Sequence, residues 1–559
     1  MKPSKKLICC FVFLTLLSPN LHAATDILVN TSDTLITSSL ASGTTTWRDS
    51  GNDGGTSLLS AFSLTSSLAT SNVVVTSASA TSTGTVNGGK ITVGSPLSWA
   101  NGNSLTLQAD SSILVGATIT GNGGGSLILN SANLAGVGME FKSDVLITGG
   151  TSALTVMSTG TITDESTRTI TVAGLATFNT SSSITLGAIG GPALTNFGSL
   201  NVTGTTVTVN EESATVLAGV SATTLNLTST GSITDTGNIA VSGQATLNGT
   251  SITLGGAAKT TTFGSLNFNT AGAVDLQVDA SMNITGVNTG SSLLLNSSGT
   301  STFASGATLA LTSNTLNNAS GTLALSGNNL ANTINVTNTG TLSLSGADTI
   351  NTYIQNGSGI LAGTAALTAT NGATLNGGQV TGQLLGNTES KNTVSISGSV
   401  GGGSLTVTSG TLTFSGTSTS TPVSISTGAA MINTGNLSDT AAVTNSGSLT
   451  VNTNADTIGT YVQNGSTSVL AGNASLTAAS GATLNGGSVT GKLLGNTETK
   501  NAVAISGSVG GGSLTVTNGT LTFSGTSTST PVNIAAGAAL IDTGDLSNTA
   551  AVINAGSLT

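Results

Sequence analysis

Residues 372–423 recur almost unchanged at 481–532. Only six of the 52 positions differ: Gln379/Ser488, Gln383/Lys492, Ser390/Thr499, Thr393/Ala502, Ser395/Ala504 and Ser409/Asn518. A chain that repeats itself every 109 residues must build a structure that docks on its own copy. The substitutions show what that structure is made of. In TVSIS (393–397) against AVAIS (502–506), Thr393 and Ser395 become alanine while valine and isoleucine stay at the intervening positions. One face varies and the other does not, which is the period-two behaviour of a strand packed on one side. Val394 and Ile396 are therefore expected inside, and Thr393 and Ser395 outside. The alternation returns at Leu405 and Val407, at Leu412 and Phe414, and at Val423 and Ile425, with Gly, Ser, Thr and Asn between them. Such text reads as short strands joined by tight turns.

A shorter repeat precedes the long one. LTVMSTGTITD, ending at Asp164, matches LNLTSTGSITD, ending at Asp235, and FGSLNV from Phe197 matches FGSLNF from Phe263. The spacing averages about 68 residues. With a coil of about 22 residues, the short period is about three coils and the long one about five. The expected fold is all-β, a parallel β-solenoid of about 24 coils. One coil alone buries too little apolar surface to offset the entropy of ordering it, whereas a stacked coil gains ladder hydrogen bonds on both sides. The expected divisions are a leader at 1–23, an individual N-terminal region at 24–150, short repeats at 151–300 and long repeats at 301–559. The last copy stops inside a repeat at Thr559, so the chain reads as a fragment or a truncated product.

Residues 1–23 have the form of a secretory signal: Lys2, Lys5 and Lys6, an apolar run from Leu7 to Leu17, and a small residue, Ala23, before the expected cleavage. The run is too short to span a membrane, and no later apolar run is long enough. Cleavage after Ala23 removes both cysteines, Cys9 and Cys10, and the sole histidine, His22. The mature chain then has no thiolate, imidazole ligand or histidine base, and no disulfide. No cofactor or metal is expected. Removing three lysines from 11 basic residues leaves eight against 21 acidic ones, a charge of about −13. That balance argues against nucleic acid as a partner, because phosphate binding needs basic clusters.

Between 57 and 71, SLLSAFSLTSSLATS places Leu58, Ala61, Phe62, Leu64 and Leu68 at near-helical spacing, which predicts a short helix covering the first coil. The following stretch, GKITVGSPLSWANGNSLTLQADSSILVGATITGNGGGSLILNSAN (89–133), resembles the N-terminal portion of filamentous-haemagglutinin-type exoproteins. The likeness lies in its order of strand, Trp99 turn, LTLxA strand and GxLxLN strand. It implies a right-handed parallel β-helix, secretion across the outer membrane and adhesion at the cell surface. Partners would then be an outer-membrane translocator and a host-cell, matrix or glycan receptor. The Asn-Pro-Asn motifs of that family's secretion domain do not occur in the mature N-terminal region, which leaves two-partner secretion and an autotransporter route both open.

Few residues invite a chemical reading. Asp164-Glu165 and Glu211-Glu212 are adjacent acids, which a strand turns to opposite faces, so they read as turn or surface residues rather than a catalytic pair. Residues 50–55, SGNDGG, lack the ligand spacing of a calcium loop and read as a turn. GNTESKN (386–392) and GNTETKN (495–501) put Glu389 and Lys391, and again Glu498 and Lys500, into otherwise uncharged text. They read as exposed repeat loops, either solubilising or a repeated ligand epitope with multivalent gain. The Thr-Ser-Thr-Ser-Thr runs from Thr417 and Thr526 read as hydroxyl-rich edges, too sparse for an ice-binding array. The expected function is a secreted or surface-displayed, non-catalytic adhesin-like stalk. Alternatives are a self-associating structural protein and an autotransporter passenger. A glycan-active β-helix enzyme would require several acids grouped with Arg48, Arg168 or Lys259.

Overall fold

A computed structural model describes residues 26–33, 36–49, 56–77, 89–132, 138–187, 194–419, 422–438, 440–528, 531–549 and 551–559. Ala23 and residues 50–55, whose sequence reads as a turn, lie outside them. The chain is a parallel β-solenoid with about 20 residues per turn and one short helix. It divides into two compact units, residues 1–198 with 203–205, and residues 199–202 with 206–559.

Between Ile91 and Ser158 each coil of the first unit contributes three short strands, stacked in three ladders. Val73, Leu105, Leu127, Leu154 and Ala176 form one inward column. Ile27, Ile91, Ile113, Met139 and Ile162 form a second. Leu97, Ile119, Val145 and Ile170 form the third. Trp99 is buried with them and lies close against Gly121 of the next coil, where no Cβ would fit. The helix is shorter than its spacing predicts. Thr56–Ser60 is a strand paired with Asp26–Asn30, and the helix runs only over Ala61–Leu68. Ser60 breaks the pattern because it serves as N-cap, its Oγ accepting from Ser63 N at 3.0 Å. Leu64 and Leu68 pack inward, while Phe62 is 80% exposed and takes no part in the core. At the other end Asn101 and Asn103 donate to Leu68 O at 2.8 and 2.7 Å, supplying partners to a terminal carbonyl that the helix itself leaves free.

The second unit has the same stacking with shorter coils. Following one inward column, the chain steps from Tyr353 to Ala373, then to Thr388, Leu405, Val423, Val443 and Tyr461. The long repeat therefore contains six coils, not five, because the turns here are tighter than a 22-residue coil allows. Val394 and Ile396 are buried, Ser395 is half-buried and Thr393 is exposed, as the alternation predicts. In the copy, Val503 and Ile505 are buried and the two alanines are exposed.

The core of this unit is not wholly apolar. Tyr353 is fully buried; its hydroxyl accepts from Asn338 Nδ2 at 3.1 Å and donates to Gln355 Oε1 at 2.9 Å. Gln355 Nε2 in turn donates to Gly377 O at 2.9 Å. Asn445, Tyr461, Gln463 and Gly486 repeat the network in the next copy. Burial pushes both phenols above their usual range despite the asparagine donors. Just upstream, Asp348 accepts from Leu330 N at 3.1 Å and Asp456 from Leu437 N at 2.7 Å, so each buried acid closes the turn of the coil before it. Tyr353→Phe should cost about 2 kcal/mol in urea unfolding, since Asn338 and Gln355 would lose a shared buried partner without gaining water. An unchanged midpoint would mean that water reaches this corner.

Candidate functional site

In each Glu-x-Lys segment the glutamate lies on a short strand and the lysine just past its end. Glu389 sits in the middle of the strand Thr388–Ser390, and Glu498 in the middle of Thr497–Thr499, each side chain facing outward. Thr388 and Ser390 turn inward on either side, so the pleat aims the carboxylate at solvent. Lys391 Nζ lies 2.9 Å from Glu389 Oε2, and Thr408 Oγ1 donates to Oε1 at 2.8 Å. The ammonium, then the hydroxyl, hold the Glu389 carboxyl below its ordinary range. In the copy Thr517 donates to Glu498 at 2.8 Å and Lys500 pairs with it at 3.0 Å, and there the hydroxyl, then the ammonium, hold the carboxyl below its ordinary range. The sequence-predicted residues thus come together as two neutralised pairs, each a strand glutamate and the lysine two residues on, just past the strand end.

Each glutamate lines an open groove, of about 420 Å³ at Glu389 and about 430 Å³ at Glu498. Ile354, Thr374, Glu389 and Thr406 pair in register across four coils and form its floor. Asn387 and Ser404 stand at the rim, tied by Ser404 N donating to Asn387 Oδ1 at 3.0 Å. A difference in coil length makes the recess. From Tyr353 to Ala373 the coil takes 20 residues, but from Ala373 to Thr388 only 15, so the shorter coil is set back. Gly372, at φ +97°, makes the turn into that coil, and its carbonyl accepts from Tyr353 N at 3.2 Å. Val462, Thr483, Glu498 and Thr515 repeat the floor. Six coils at about 4.8 Å separate the grooves by roughly 29 Å, against the roughly 24 Å that five coils would give. The threonines were not singled out by sequence, since they resemble every other outward threonine; the shortened spacing between Asn371-Gly372 and Gly386-Asn387 was the available signal.

The remaining candidates stay apart. Glu165 is paired with Arg168 at 3.5 Å, while Asp164 turns the other way and is largely buried. Glu211 is fully buried, contrary to a surface reading, because Thr215 Oγ1 meets its Oε2 at 2.6 Å inside the coil. Lys259 is committed to Asp235 at 2.9 Å. Ser418 and Ser527 are buried between outward threonines in Thr417–Thr419 and Thr526–Thr528, so those runs do not present every hydroxyl to solvent. Among the described residues no group of three or more acids could hold a metal ion.

Two stretches, 142–191 and 204–262, match a family described as repeats of unknown function (DUF5649). They contain the two Ile-Thr-Asp strands that end at Asp164 and Asp235. No curated protein and no solved structure matches the chain.

Those two aspartates differ in their partners. Gly187 N donates to Asp164 Oδ2 at 2.9 Å, but Oδ1 has no hydrogen-bond partner among the described residues, and burial pushes the carboxyl up to about 6. A folded value raised above the ordinary 3.8 means that the folded state keeps this proton longer than the unfolded chain. Stability from this group is full below about pH 4 and is lost as pH rises through about 6. Asp164→Asn should therefore be roughly 2 kcal/mol more stable than the wild type at neutral pH and lose that advantage near pH 4, read from paired urea midpoints. A difference that does not change with pH would place the carboxylate in water.

Proposed function

We propose that the chain is a secreted or cell-surface attachment stalk with no catalytic role, exported across an outer membrane in the manner that the resemblance to filamentous-haemagglutinin-type exoproteins implies. The observation that carries this reading is the outward face of the second unit, where two equivalent neutral grooves lie in register on a rigid stack. A regular stack holds repeated contacts at fixed spacing, which suits weak contacts that act together. Each groove lining includes a single carboxylate, already paired with a lysine. Two-carboxylate glycoside chemistry needs a second acid within about 5 to 10 Å and a free proton donor, so this arrangement favours holding a ligand over cleaving it.

The test is saturable binding of bead-immobilised protein, from Ala24 onward, to host-type cells, matrix proteins and a glycan array. An unrelated solenoid of matched charge is the control. Binding above the control supports attachment. Lateral assembly of the protein without any such binding would instead make it a structural, self-associating component.

A further inference from the structure

We propose that the grooves at Glu389 and Glu498 are paired subsites for a neutral carbohydrate chain, each taking a segment of about two sugar rings. The inference deepens the attachment reading and rests on it for its biological setting. A volume of 420 to 430 Å³ falls within the range of small-ligand sites and is too small for a folded partner's surface.

The groups offered to a ligand are hydroxyls, amides and one carboxylate. Thr374, Thr406 and Ser404 can each donate and accept, and the remaining lone pairs of the Glu389 carboxylate can accept from ring hydroxyls as Oε1 does from Thr408. The Lys391 pair leaves the site without net charge, and the site has no second cation to hold a phosphate, sulfate or sialate. Ile354, replaced by Val462 in the copy, gives the floor one apolar patch of the kind that covers the C–H face of a sugar. No aromatic ring is offered for stacking beyond the buried Tyr353, so each subsite is weak, on the order of 1 mM. Two subsites roughly 29 Å apart on one face convert that weakness into avidity for a long or densely displayed glycan.

The experiment uses the full chain and four probes: cellobiose and N,N′-diacetylchitobiose as neutral disaccharides, sialyllactose as the anionic comparison, and a polymer displaying whichever neutral sugar binds. Ligand-observed NMR gives the monovalent isotherms. The expected result is saturable binding of a neutral disaccharide, at least tenfold weaker for the double variant Glu389→Gln/Glu498→Gln. Binding should be lost in Thr374→Trp/Thr483→Trp, which fills both grooves from outward positions that leave the core untouched. Filling one groove alone should leave monovalent affinity unchanged and lower polymer affinity by about 100-fold. Urea midpoints matching the wild type establish that the variants are folded.

No neutral binding at about 20 mM, preference for sialyllactose, or binding that survives both tryptophans would overturn the proposal. The two readings fail separately. Cell attachment that persists in the filled variant removes the grooves and leaves the stalk as an adhesin, whereas disaccharide binding without cell attachment removes the adhesin and leaves the grooves.

Discussion

Gly416→Ala should lower the stability of the coils around it by about 3 kcal/mol or more, although it adds one methyl group to a chain already rich in alanine. Gly416 stands in a column with Gly382, Gly398 and Gly435, one per coil, at a corner where successive backbones nearly touch. A Cβ at Gly416 would overlap Gly398 O, the oxygen that accepts from Thr417 N at 3.1 Å. The methyl therefore cannot enter without breaking a ladder hydrogen bond and pushing two coils apart. The reason is close approach and not a left-handed backbone. Gly428 provides the contrast: at φ +79° it faces open space, so Gly428→Ala should cost only the backbone term of about 1 kcal/mol. Urea midpoints, with amide hydrogen exchange between Gly382 and Gly435, separate the two effects. Equal costs at both positions would show that the corner can relax. Gly491, Gly507, Gly525 and Gly544 form the same column in the copy and should respond alike.

Lys259→Met should destabilise the second unit by about 3 to 5 kcal/mol. The ammonium donates to Asp235 Oδ1 at 2.9 Å and to Asp235 O at 3.0 Å, while the Asp235 side chain is 2% exposed and, among the described residues, has only Gly255 N, at 3.0 Å, as a further donor to Oδ1. Deleting the lysine leaves a buried carboxylate without its counter-charge, and the energy lost is mainly that orphan's desolvation. The double variant Lys259→Met/Asp235→Asn should therefore recover most of the loss, giving a large coupling in a double-mutant cycle. Additive losses would mean that Lys259 acts through its packing alone. Asp164 has the equivalent backbone donor, Gly187 N, but among the described residues no lysine partner, so one Ile-Thr-Asp motif carries a counter-charge in one repeat and not in the other.

Much of this was legible in the text of the chain. The TVSIS and AVAIS copies assign inside and outside residue by residue, because a strand's side chains alternate whatever the strand packs against. The two repeat periods show that the coils stack, since an isolated coil has no core of its own. The helix was located but overextended. Hydrophobic spacing cannot distinguish Leu58 on a strand from Leu64 on a helix, and only the capping by Ser60 marks the change. The site was half visible: Glu389, Lys391, Glu498 and Lys500 stood out by charge, but the placement of the glutamates on strands and the grooves beside them did not.

What the sequence determined by itself is local and periodic: strand faces, turn positions, and the presence of repeats that must stack. The tertiary structure decided the perimeter of each coil, and with it the number of coils per repeat and the recess between Tyr353 and Thr388. Coil length depends on how three corners close together, which no short window of sequence contains. It also decided which polar residues are buried. Glu211, Asp348, Tyr353 and Asn338 look like surface residues in the text, and each is inside because a partner in the same or a neighbouring coil satisfies it. Burial of a polar group is a property of the pair, and only the stacking of coils brings the pair together.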